Sequence, residues 1–137
     1  MFVTVFYGIY NCRTGVMDYT NAGHNPPSIL RRNRSAAYLP VASNFVVGVF
    51  DDIEFESNTL EFGVGDTLLL YTDGVTEAFN DKREQFSEGK LQEVLGALQE
   101  DTSAKEVVTQ VLHSVRAFSG DYPQSDDITL LSLQRIR

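Results

Sequence analysis

Two short stretches place carboxylates where a sheet would hold them rigidly: "YTDG" over 71–74 and "SDDIT" over 125–129. Asp73 and Gly74 follow "GDTLLL", an apolar run that reads as a buried strand, and Asp126 and Asp127 stand directly before a last apolar stretch, "ITLLSLQRI". A strand fixes the position of a carboxylate at its end, and Gly74 lets another group approach the backbone closely. Two such strand ends can meet at one edge of a sheet, where their acids would repel each other. A hard divalent cation, Mg²⁺ or Mn²⁺, removes that repulsion and prefers oxygen ligands. It can also acidify bound water and clamp a phosphoryl oxygen. The same spacing equally describes a turn cap at Asp73 and a loop-to-strand junction at Asp126–Asp127, because Asp-Gly is a common dipeptide.

His24 is the next candidate. It lies in "NAGHNPP", a loop stiffened by two prolines, where it can donate a proton, hold a phosphate or pin the loop to backbone groups. His113 falls beside an apolar helical stripe and reads as surface. Arg31, Arg32 and Arg34 form a small basic cluster that could attract a phosphopeptide but is read as a solvated hairpin end. No Cys-x-x-Cys or histidine-rich pattern suggests zinc. "GVGD" precedes a strand rather than a helix, so it is no phosphate-binding P-loop.

The elements that must position these residues are strands first and helices later. Residues 2–10 and 16–22 read as a hairpin around the turn "NCRTG", and 28–32 as a short strand. "AAYLP" leads to the apolar stretch 44–50, 52–62 alternates with period two, and 67–73 is a further strand. Leu91, Val94, Leu95 and Leu98 fall at i, i+3, i+4 and i+7, which predicts a helix over 88–99. Val107, Val108, Val111, Leu112, Val115 and Phe118 predict a second over 104–119, with Ser103 and Glu106 as a capping box. Residues 128–136 read as the final strand. Strands joined by short turns pair antiparallel, so the fold class is α+β rather than a βαβ repeat.

The 137 residues fit one domain or part of a larger one, and 42% hydrophobic content is enough for a core. A net charge of −8 argues against nucleic acid as the main partner. No apolar run approaches the roughly 20 residues of a membrane span, so no membrane contact is expected. The single cysteine, Cys12, agrees with a cytoplasmic location.

"MFVTVFYGIYN", "GVMDYTNAGHNPPSILR", "GDTLLLYTDGVTEAFN" and "SDDITLLSL" occur in the order seen in bacterial PPM-type serine/threonine phosphatases. The branch resembled is the SpoIIE/RsbU group, relatives of protein phosphatase type 2C, and the resemblance covers almost the whole chain. It implies an αββα sandwich of antiparallel sheets, here with one pair of covering helices, and a binuclear Mn²⁺ or Mg²⁺ centre. A water on the metals would attack the phosphorus of phosphoserine or phosphothreonine in a phosphorylated protein, such as an anti-sigma-factor antagonist in sigma-factor partner switching. By the match of "YTDG", Asp73 would be a metal ligand; by the match of "DDIT", Asp126 would be another. Gly74, Asp127 and His24 would support them.

Two departures stand out. The family carries an earlier Asp-Gly motif upstream of the "MFVTVFYG" strand, and its aspartate bridges the metals. Without it, residues 1–137 read as the C-terminal portion of a phosphatase domain, inactive alone. "FSEGKL" (86–91) also replaces the more usual Phe-Gly-Glu pattern. A non-catalytic interaction module of the same fold is the competing reading.

Overall fold

The first hairpin follows from its turn. The Asn11 side chain accepts the amides of Arg13 and Thr14 at 3.0 and 3.1 Å, and Gly15 takes φ +78°, so β1 (Val5–Asn11) and β2 (Val16–Ala22) pair in register from Val5 opposite Ala22 to Asn11 opposite Val16. The computed structural model describes residues 1–33 and 35–137; Arg34 of the basic cluster lies outside them. The remaining elements are β3 (Ser28–Leu30), β4 (Ala36–Tyr38), β5 (Asn58–Glu61), β6 (Thr67–Tyr71), α1 (Asp73–Thr76), α2 (Ser87–Gly96), α3 (Ala104–Ser119) and β7 (Leu130–Gln134). They form two antiparallel sheets, ordered β1-β2-β5 and β4-β3-β6-β7. The α+β reading stands.

β6 explains the layering. Side chains alternate across a strand, so Leu68 joins Met17, Tyr19, Ile29, Leu60 and Phe62 between the sheets. Leu69 and Tyr71 point the other way, into a cluster with Leu91, Leu95, Val107, Val111 and Val115 of the helices. Both faces are buried, which is why "TLLLY" reads as an unbroken apolar run. α3 begins where expected: the Glu106 amide donates to Ser103 Oγ at 3.3 Å, and the Ser103 amide donates to Glu106 Oε2 at 2.8 Å. The predicted stripe is buried at Val107, Val111 and Val115, with Val108 and Phe118 packed on its flank.

Two sheet faces carry exposed apolar side chains. Tyr7 and Ile9 of β1 are each 61% exposed. Leu131 and Leu133 of β7 pair with Leu70 and Leu68 but are 58% and 39% exposed.

Three expectations need correction. Of the alternating segment 52–62 only Asn58–Glu61 enters a sheet, and in the apolar stretch before it Val47 makes an isolated bridge to Val3. Asn44 is the cause. Its side chain donates to the carbonyls of Asn21 (3.1 Å) and Glu56 (2.9 Å) and accepts the Glu56 amide (2.9 Å), holding the segment as a loop. Arg31 is not a solvated hairpin end. It pairs with buried Asp66 at 2.7 Å and donates to the Glu61 carbonyl at 2.6 Å. Asp66 also accepts the amides of Arg32 and Gly63 at 3.0 and 2.9 Å, tying the β5–β6 turn to the end of β3. Finally, the strand before Asp73 stops at Tyr71, and Asp73 opens a short helix.

Candidate functional site

β6 and β7 pair as far as Tyr71 and Leu130, and just beyond that point one side chain closes the two chains together. The Thr72 amide donates to the Thr129 carbonyl at 3.1 Å. The Thr72 hydroxyl accepts the Thr129 amide at 2.9 Å and donates to the Asp127 carbonyl at 2.8 Å. The next residue is Asp73, whose exposed side chain leaves from the first turn of α1. Thr72 was not singled out from the sequence, where a threonine before Asp-Gly looks like any strand residue.

Gly74 is buried, and the reason is a close approach by backbone. A Cβ there would stand 3.0 Å from the Asp126 carbonyl oxygen and closer still to that of Asp127. The absence of a side chain therefore admits the 126–127 loop against α1. The fold thus brings Gly74, the residue after Asp73, against the backbone of Asp126 and Asp127.

The Asp126 side chain is oriented locally, its Oδ1 accepting the Asp127 amide at 2.7 Å. Gln124 Nε2 donates to the Asp126 carbonyl at 2.8 Å, and the Ser125 hydroxyl reaches the Glu77 carbonyl at 3.4 Å, binding this loop to the end of α1. Asp127 contributes its carbonyl to the Thr72 clamp, and its side chain is exposed.

His24 comes to the same edge. Burial lowers the imidazole's pKa, and the nearby Asp73 carboxylate opposes that shift. The loop is pinned by a neighbour rather than by the ring. Asn21, 4% exposed, accepts the His24 amide and donates to the His24 carbonyl, each at 2.8 Å. Asn21 was missed from the sequence; its position two residues before Gly-His in a proline-rich loop was the available signal. His113 is exposed on α3, as expected.

Exposed aspartates at one sheet edge are the donor chemistry that Mg²⁺ and Mn²⁺ take. The residues therefore fit such a cation in kind. They fall short in number, since among the described residues no group of three or more His, Cys, Asp or Glu side chains is gathered for a metal.

Two antiparallel sheets lie with a helix pair outside one of them, and acids stand where β6 ends and β7 begins. The sequence profile of Stage II sporulation protein E (SpoIIE) matches residues 1–136, and the chain belongs to that family. It is 32% identical over 137 residues to protein IcfG of Synechocystis, covering 98% of this chain and 21% of that protein. It is 30% identical over 135 residues to phosphoserine phosphatase RsbU of Bacillus subtilis, covering 98% of this chain and 39% of RsbU. The fold matches the Mn-presoaked phosphatase domain of B. subtilis SpoIIE with a TM-score of 0.73 at 18% identity, over 98% of this chain and 56% of that domain. The chain thus spans well under half of either relative and about half of the SpoIIE phosphatase domain.

Proposed function

We propose that this chain is the C-terminal portion of a metal-dependent protein serine/threonine phosphatase domain that hydrolyses phosphoserine or phosphothreonine on a phosphorylated protein. Membership of the SpoIIE family supports the reading, and the observation that carries it is the packing of Gly74 against Asp126 and Asp127. Asp73 and Asp126 would hold Mn²⁺ or Mg²⁺ there. Bound, the cation supplies charge neutralisation for phosphoryl oxygens and a lowered pKa for water. Thr72 fixes the spacing of the two acidic segments, and Asp127 and His24 support them.

The remaining ligands belong to the rest of the domain, and the chain alone is inactive. The exposed apolar faces at Tyr7 and Ile9 and at Leu131 and Leu133 support this, because they are core-like surfaces without a cover. The substrate we favour is a phosphorylated regulatory protein of the anti-sigma-factor antagonist kind, in the cytoplasm. No helix among the described residues is long and apolar enough to cross a membrane.

Phosphate release from a phosphoserine peptide tests the reading. A longer protein containing this chain should turn over with Mn²⁺ and lose that activity on Asp73→Asn, while the chain alone releases negligible phosphate. Turnover that survives Asp73→Asn would overturn the ligand assignment. A longer protein inert with Mn²⁺ would favour the interaction-module reading.

A further inference from the structure

A cavity of about 150 Å³ opens beside the candidate site. Gly74 and Ala78 form one wall and Ile128 another, so both acidic segments continue into it. Phe79 and Tyr122 both line it and pack against each other, ring centroids 6.2 Å apart and tilted by 48°, as one aromatic wall. Arg116 and Ser125 also line it. Neither acidic segment needs such a space to pack: the Thr72 clamp and the Gly74 approach already hold them together.

We infer that this cavity is a specificity pocket for an apolar, aromatic-sized side chain adjacent to the phosphorylated residue of the protein substrate. The inference rests on the phosphatase reading above and names what that site would recognise beyond the phosphate. Size agrees, since a cavity of about 150 Å³ admits a benzene-sized group. The walls agree, because aromatic rings pair edge-to-face or offset with a third ring at centroid distances of about 4.5–7 Å. Charge agrees as well. The chain is strongly acidic, at −8, and would repel an anionic peptide at most of its surface. Arg116 adds a guanidinium to the lining, and among the described residues that group has no ion-pair partner. The cavity shares Gly74 with the site and is flanked by Ser125, the residue before Asp126, so a peptide whose phosphate lies at the aspartates passes the cavity mouth with its neighbouring residue.

The chain contains no tryptophan, so Tyr122→Trp places a single indole in the pocket wall. Its fluorescence is followed in Mn²⁺ buffer during titration with four peptides: phosphoserine or serine, each flanked by phenylalanine or alanine. The phosphoserine–phenylalanine peptide should shift the emission and bind about tenfold or more tightly than its alanine counterpart, as burial of an aromatic ring requires. Phe79→Ala should shrink that ratio to about twofold or less. In the unsubstituted chain, amide shifts on titration should include Ala78, Phe79 and Tyr122, which guards against an artefact of the indole. Phosphate-dependent binding that is indifferent to phenylalanine would overturn the pocket and leave the phosphatase reading standing. Phenylalanine-dependent binding that ignores phosphate would support the pocket and count against the phosphatase reading. Absence of binding by all four peptides would overturn the pocket.

Discussion

Gly74→Ala isolates the contact on which the candidate site depends. The added methyl would meet two backbone carbonyls, those of Asp126 and Asp127, and backbone yields less readily than a flexible side chain. The Asp127 carbonyl is also held by the Thr72 hydroxyl at 2.8 Å. Overpacking of this kind costs about 1–3 kcal/mol, and fixed carbonyls place it in the upper part of that range. Alanine's helix preference returns up to about 1 kcal/mol, leaving a net loss of about 1–2 kcal/mol. Unfolding entropy of about 2.1 cal/mol/K per residue converts each kcal/mol to about 3–4 °C for 137 residues, so Tm should fall by about 4–7 °C. Gly96→Ala is the control. Nothing lies within 4 Å of its added methyl, at the end of α2, so only the helix preference of about 0.5–1 kcal/mol acts and Tm should rise by about 2–3 °C. Thermal unfolding by circular dichroism reads both. If Gly74→Ala matches Gly96→Ala in sign, the 126–127 loop does not press on α1 and the site geometry is wrong.

Further substitutions probe the elements around it. Leu95→Ala empties a position 1% exposed in the helix–sheet core and should cost about 2–5 kcal/mol in urea unfolding; an unchanged midpoint would remove α2 from the core. Ser87 sits at φ +71°, a left-handed backbone that favours glycine, and its hydroxyl receives only a 3.5 Å contact from the Lys90 amide. Ser87→Gly should therefore stabilise by about 0.5–1 kcal/mol, and a lower Tm would show that the hydroxyl matters more than the backbone. Asp66→Ala would remove the carboxylate that pairs with Arg31, which keeps only the Glu61 carbonyl, and would leave the amides of Arg32 and Gly63 without their acceptor, at about 2–4 kcal/mol, visible as a lower urea midpoint. Ser103 lowers the Glu106 pKa from the ordinary 4.5 through its amide and hydroxyl. A depressed folded value contributes stability above pH 4.5 that disappears as pH falls through it. The loss between pH 7 and about pH 3 should therefore be smaller in Glu106→Gln than in the unsubstituted chain, by comparison of urea midpoints.

α2 and α3 were legible because their stripes are periodic and α3 carries its own cap, Ser103 with Glu106. β6 was legible because a strand buried on both faces has no polar alternation to confuse with a surface. Residues 52–57 were misread for a physical reason: alternating Ile53 and Phe55 among acids looks like a half-buried strand, but the Asn44 side chain takes the hydrogen bonds of Glu56 that a ladder would need. The half-buried ion pair of Arg31 and Asp66 joins residues 35 positions apart, a separation at which local pattern carries no signal. At the candidate site, the acids were singled out by type and by motif order. Thr72, which holds the acidic segments, and Asn21, which holds the His24 loop, were not, since they act through hydrogen bonds that appear only when β7 and that loop are in place. "FSEGKL" looked like a minor departure, yet it puts a serine where the backbone asks for glycine.

The proposed role of Asp73 and Asp126 is to hold one divalent cation between them. Paramagnetic broadening by substoichiometric Mn²⁺ tests it on this chain directly, because even weak binding bleaches nearby amide signals. The account predicts that residues 72–75 and 125–129 broaden first and together, with His24 beside them, and that Asp73→Asn or Asp126→Asn removes the effect at both segments. Broadening that centres on other acids, such as Asp51 and Asp52, or that persists at 125–129 after Asp73→Asn, would contradict it.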